Sequence, residues 1–243
     1  MLDRVARAEL KTLPIDLADT VARYLVAAGL EEDPDLAYRY AKEARRLAAR
    51  VGVVREANGI AAYHAEQWAE AIAELRAARR LTGRNSSLPM IADSERALGR
   101  LDKALALVHA PQEPTLDRAT QIELTIVESG IRRDQGLDDA ALIVLQVPEL
   151  NDGRSRPWSA RLSYAYADAL LGLGRRDEAR DWFSRAAGQD VDGETDAADR
   201  FDELDDVVLE DLDDLAEEEP EELGGRLEEN DVDHVILEDL GEA

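Results

Sequence analysis

Small apolar residues recur along most of the chain at nearly constant intervals. Ala37, Ala71, Ala104, Ala140 and Ala179 are spaced by 34, 33, 36 and 39 residues. Four positions beyond these anchors stand Ala41, Leu75, Val108, Val144 and Phe183, and three further on Ala44, Ala78, Pro111, Val147 and Ala186. An i, i+4, i+7 stripe is the buried face of an amphipathic helix. A second small residue lies twelve positions before the anchor in three units, at Gly59, Ala92 and Ala167, whereas Leu25 and Glu128 hold that place in the other two. Turn signals precede three of the anchors: LGRLDKA, QGLDDA and LGRRDEA. Within them Gly99, Gly136 and Gly174 offer the left-handed backbone that ends a helix tightly. Trp68, Leu101 and Leu137 fill the same apolar slot just before the second helix. Each unit is therefore predicted to be two helices joined by a tight turn, with small residues where they cross.

The period, the paired helices and the small residues at their crossing resemble the tetratricopeptide repeat family. The resemblance is clearest in YAYADALLGLGRRDEARDWFSRAA (164–187) and covers roughly residues 17–187. It implies an all-α fold: an antiparallel helix-pair solenoid, wound as a right-handed superhelix, with about five helix pairs within residues 1–189. Residues 1–13 are expected to add a helix that caps the first unit. Units two and five match best. Pro111 and Pro148 are expected to cut short the second helices of units three and four, or the links after them. A generic α-solenoid or an irregular helical bundle would carry the same stripes.

In this family the first helices line the concave face, where ligand peptides usually lie. By register, unit two presents Glu56, Ile60, Tyr63 and His64 there, and unit three Asp93 and Arg96. Unit four presents Ser129, Arg132 and Arg133, and unit five Arg161, Tyr164 and Asp168. The family's carboxylate clamp needs lysines and asparagines, and none of these positions carries either, so that activity is not implied. What remains is a mixed groove with arginines towards its C-terminal end. Arginine forks suit carboxylates and phosphates. The alternative role for these arginines is pairing with nearby acids such as Glu128, Asp134 and Asp168.

Charge divides the chain. Residues 190–243 hold 25 acids against Arg200 and Arg226, a net of −23, while residues 1–189 hold 29 acids and 27 bases. A near-neutral body with a separate acidic arm is the expectation, the arm being mostly disordered in isolation. The arm still carries a helical stripe at Phe201, Leu204, Val208, Leu212 and Leu215, and VVLEDL (207–212) returns as VILEDL (235–240). These features suit a recognition element that folds on docking. Its target is either a basic or apolar partner or, as an intramolecular tail–body contact, the locally basic middle of the body. Residues 37–110 there have 13 bases and 8 acids, with Arg45, Arg46, Arg76, Arg79 and Arg80 on second helices. Nucleic acid is disfavoured, because aromatics are sparse there and the arm would repel phosphate.

Catalytic and metal patterns are weak. With no cysteine, thiolate chemistry and disulfides are excluded. His64, His109 and His234 show no ligand spacing, and no phosphate loop or nucleophile elbow is present. GQDVDGETDAAD (188–199) is a near miss to a calcium loop, with Gly188 at position one and Asp199 at position twelve, where Glu is usual. No apolar run approaches a membrane span and the N-terminus lacks a signal's apolar region, so a cytoplasmic protein without a membrane partner is expected. The sequence reads as a non-enzymatic interaction scaffold without a cofactor, binding another protein or peptide through its groove. The alternatives are a regulator whose acidic arm mimics nucleic acid or docks on a basic partner, and an accessory subunit of an enzyme.

Overall fold

A computed structural model of the chain describes residues 2–111 and 116–205. The chain divides into two units, Met1–Asp205 and Asp206–Ala243, and the second lies outside the described residues, as do both copies of the doubled motif. All regular structure among the described residues is helical. The helices are α1 (Arg4–Leu10), α2 (Ile15–Leu30), α3 (Pro34–Ala48), α4 (Gly52–His64), α5 (Trp68–Thr82) and α6 (Leu88–Ala97). They continue with α7 (Leu101–His109), α8 (Arg118–Asp134), α9 (Asp138–Val144), a 3-10 turn at Pro148–Asn151, α10 (Ser159–Gly172) and α11 (Arg176–Gln189). A last helix, α12, begins at residue 197 and runs through residue 205.

From α2 onward the helices pack in consecutive pairs: α2 with α3, α4 with α5, α6 with α7, α8 with α9 and α10 with α11. The pair α4–α5 shows why. Gly59 lies against Leu75, and a Cβ on Gly59 would stand 2.6 Å from two Leu75 side-chain carbons. Nearer the turn, the Tyr63 ring meets the Trp68 ring edge-on at 5.4 Å. Contacts thus climb one helix as they descend the other, so the two run antiparallel. Ala92 and Ala167 hold the equivalent place on α6 and α10, both fully buried. First helices also pack on one another, α4 on α6, α6 on α8 and α8 on α10. Helices packed on their sequence neighbours in this way are compatible with a helical repeat.

Four of the first helices end in one and the same turn. The amides of Gln67, Arg100, Leu137 and Arg175 reach back to the carbonyls of Ala62, Glu95, Arg132 and Leu170. The amides of Glu66, Gly99, Gly136 and Gly174 bond Tyr63, Arg96, Arg133 and Leu171. This double bond pattern is the Schellman closure, which needs a left-handed residue at its corner. Gly99, Gly136 and Gly174 have φ of 70°, 72° and 73°, as the sequence led us to expect, whereas in unit two a glutamate, Glu66, takes φ 57°.

Unit four departs from its expected register by one residue. Ala140 is half-buried and Ala141 fully buried, so the anchor is Ala141. The stripe then continues to Leu145, which is buried, in place of Val144. Twelve positions before Ala141 stands Ser129, not Glu128, and its hydroxyl donates to the Ala141 carbonyl at 3.0 Å. The shift restores a small residue at the crossing. It also moves Leu137 out of its apolar slot, and Leu137 is exposed. The second helices α7 and α9, 9 and 7 residues long against 15 for α5, are short. Pro111 follows α7, and Pro148 opens the 3-10 turn after α9.

Short segments close both ends of the run of paired helices. At the start, Glu9 of α1 accepts the Val53 amide at 2.8 Å, capping α4, which has no cap of its own. At the other end, residues 190–205, expected to belong to the acidic arm, pack on the body. Asp190 accepts the amides of Glu194 and Thr195 at 2.8 and 2.7 Å, closing a turn around Gly193. Ala197 and Leu204 of α12 are buried in the cluster built by α8–α11, with Phe201 against it. The helical stripe outweighs the local charge here because an apolar surface is available to receive it.

The corner residue of unit two yields a prediction. A left-handed L-residue costs about 1 kcal/mol that glycine avoids, and Glu66 is exposed. Glu66→Gly should raise unfolding stability by up to about 1 kcal/mol, read as a higher urea midpoint at unchanged slope; no gain would contradict the corner strain.

Candidate binding groove

Successive residues on a helix point about 100° apart, so the face that packs on a second helix leaves another face open. On α4, α6, α8 and α10 those open faces line one groove of about 860 Å³. Tyr63 and His64 come from α4, Asp93 and Arg96 from α6, Arg133 from α8, and Arg161, Tyr164 and Asp168 from α10. All eight belong to the set expected from register. Apolar side chains missed by the sequence reading form part of its lining: Pro89, Met90, Ile126, Val127 and Ala165. Their signal is present in the register, since Met90 stands one helical turn before Asp93. Glu123 and Glu194 were missed too.

Ser129 of α8 lines the groove as well. Three expected residues stand elsewhere, and of these Ile60 packs in the core against Ile72, Leu75 and Ile91. Arg132 pairs with Glu128 at 3.1 Å, and Glu128 pairs in turn with His109 of α7 at 2.9 Å. Arg132 therefore faces α7, a consequence of the one-residue shift in unit four, and it is Arg133 that faces the groove. Glu56 binds Arg84 at 2.5 Å and lies within reach of Ser86, at 3.4 Å, which does line the groove.

Charged and polar contacts cross the groove from each first helix to the next. The Tyr63 hydroxyl donates to Asp93 at 2.6 Å. Arg96 binds Asp93 at 2.8 Å and Asp134 of α8 at 3.0 Å. Arg133 of α8 pairs with Asp168 of α10. Arg161 of α10 binds Glu123 of α8 at 2.5 Å and also pairs with Glu194. Arg200 of α12 completes the far end, 3.5 Å from Asp168, donating to the Tyr164 hydroxyl at 3.2 Å and lying over the Phe183 ring at 4.9 Å. The arginines that face the groove are thus already matched by carboxylates of this chain. A ligand acid would have to exchange with one of them.

These contacts shift the titration of three groups. Burial, then the charge of Asp93, pushes the Tyr63 phenol well above its ordinary value. Burial, then a hydrogen bond and charge from Asp196, pushes Tyr164 up to about 12. Burial opposes the Arg96 charge, yet Asp93 and Asp134 together hold its pKa above the usual guanidinium value.

Among the described residues no group of three or more His, Asp or Glu side chains could hold a metal ion. The carboxylate of Asp190, which falls on a ligand position of the calcium-loop near miss, is turned to backbone amides and the Thr195 hydroxyl. No described helix is long and apolar enough to cross a membrane. Comparison with known proteins found no family model that matches the chain and no curated relative.

The raised tyrosine gives a pH prediction. The folded state favours neutral Tyr164, so its contribution is complete below the unfolded value near 10 and is lost as pH rises through about 12. Tyr164→Phe should therefore flatten the fall in stability across that window, measured by urea unfolding at stepped pH. An unchanged slope would show that Tyr164 ionises freely.

Proposed function

We propose that this chain is a tetratricopeptide-like interaction scaffold that holds a segment of a partner protein in the groove formed by its first helices. The observation that carries this reading is the composition of that groove. Four first helices supply most of its lining, with Ser86 and Glu194 from adjoining turns, and that lining combines apolar side chains with charged pairs. The repeated Schellman turns support the repeat reading, with corners at Glu66, Gly99, Gly136 and Gly174 separated by 33, 37 and 38 residues. Arg96, Arg133 and Arg161 would then select ligands by exchange of carboxylates, while Met90, Ile126, Val127 and Ala165 supply affinity. Polar contacts chiefly set specificity in such interfaces, and desolvated apolar anchors carry most of the energy. Tyr63 and Tyr164 add area and rigid hydroxyls at the two ends of the groove.

A random-peptide display selection against the full chain tests this. Selected peptides should carry apolar anchors flanked by charged residues. Met90→Glu combined with Ala165→Glu should weaken them about tenfold or more, with the helical circular dichroism unchanged. Equal binding to the folded double variant would place the peptide site outside the groove.

A further inference from the structure

The second helices carry a different surface. Ala69 and Ile72 of α5 and Ala106 and Leu107 of α7 line a shallow cleft, bordered by Arg76, Arg100 and Lys103. Arg76 also borders an adjoining depression with Arg79, Arg80 and Asn85. Along this continuous strip five cations stand against one acid, Glu95. That carboxylate is buried, and its two oxygens are taken by Arg76 at 2.9 Å and Arg100 at 3.2 Å. Arg79 has the Asn85 amide oxygen as partner, at 2.7 Å, in place of a carboxylate. Arg80 and Lys103 are exposed. In contrast to the groove, where arginines are neutralised rung by rung, the described residues of this strip carry an excess of positive charge beside an apolar floor.

We infer that the α5–α7 cleft is a second docking surface, and that its partner is an acidic protein segment with an apolar stripe. Charge complementarity selects the acid, since among the described residues no carboxylate pairs with Arg79, Arg80 or Lys103 along one side. The floor selects the stripe, because the exposed Ala69 and Ala106 and the half-buried Leu107 offer apolar contact between two helices, above the buried Ile72, the setting in which an amphipathic helix docks. A nucleic acid fits less well: the residues lining the strip include no aromatic ring on which a base could stack. The crowding of Arg79 by burial and by the charge of Arg76 lowers its pKa, which is the electrostatic cost an incoming carboxylate relieves.

The test uses the full chain and a fluorescein-labelled helical peptide of Leu, Glu and Asp with leucines at i, i+3, i+4 and i+7 spacing. Fluorescence anisotropy should show saturable binding that weakens as salt is raised. Arg80→Glu with Lys103→Glu should weaken it about tenfold or more, and Ala106→Glu, which blocks the floor, should do the same. Arg23→Glu with Arg39→Glu makes the same change in net charge at exposed positions on α2 and α3 and should leave affinity within about twofold. Absence of saturable binding would overturn the proposal. So would equal losses in the two charge-reversed variants, tighter binding of a single-stranded oligonucleotide lost with Arg80→Glu and Lys103→Glu, or self-association of the free chain abolished by those changes.

Discussion

Everything in this fold depends on how closely the two helices of a pair approach. Gly59 against Leu75, and Ser129 bonded to the Ala141 carbonyl, are contacts that a larger side chain would push apart. Interiors are close-packed, and inserting a methyl group where no space exists displaces a whole helix or strains it. The left-handed corner that ends each of four first helices fixes the direction in which the second helix returns. With crossing and return both set, the first helix of a pair keeps a face free for its neighbours, and α4, α6, α8 and α10 pack on one another in turn. The groove is the consequence of that stacking.

Ionic contacts hold the blocks in register. On the groove side, Asp93, Asp134, Asp168 and Glu123 each receive an arginine from the same or a neighbouring first helix. On the other side, Glu74 of α5 is buried between Arg45 of α3 and Arg55 of α4, at 2.8 and 2.9 Å, tying three helices to one carboxylate. Glu95 repeats the device one unit on. Such pairs need both partners, because a buried acid left without its arginine is strongly unfavourable. The groove pairs are more exposed and weaker individually, and for the same reason they can open to a ligand. Further along α5 and α7 no described carboxylate pairs with Arg79, Arg80 or Lys103, which is what separates the two surfaces chemically.

Much of the helical organisation was legible in the sequence, because packing at a crossing leaves small residues at fixed intervals. Ala71, Ala104 and Ala179 are fully buried where the interval places them. The interval failed in unit four, where Ala140 and Ala141 are both alanine and nothing local distinguishes them; the deciding partner, Ser129, lies on another helix. Glu66 hid a fourth closure because its conformation is imposed by the turn and not by its own preference. Charge composition concealed α12, whose burial rests on Ala197 and Leu204 finding the surface of α10 and α11. Of the groove, most polar residues followed from register, Glu123 and Glu194 apart, and pairing of its arginines with acids such as Asp134 and Asp168 was one of the two roles open; which arginine meets which acid was not legible. Whether Arg133 meets Asp168 is set by the offset between helices 35 residues apart in sequence, and periodicity within one helix carries no record of that offset.

We propose that a partner is held on the open faces of α4, α6, α8 and α10. Site-specific photo-crosslinking in cells of the source organism measures this most directly, with the crosslinker placed in turn at Met90, at Ala165 and at Leu30. Met90 and Ala165 line the groove, and Leu30 is 74% exposed at the end of α2. Crosslinks from Met90 and Ala165 to one segment of one protein, with none from Leu30, are the predicted result. A partner that co-purifies with the chain yet crosslinks from neither groove position would contradict it.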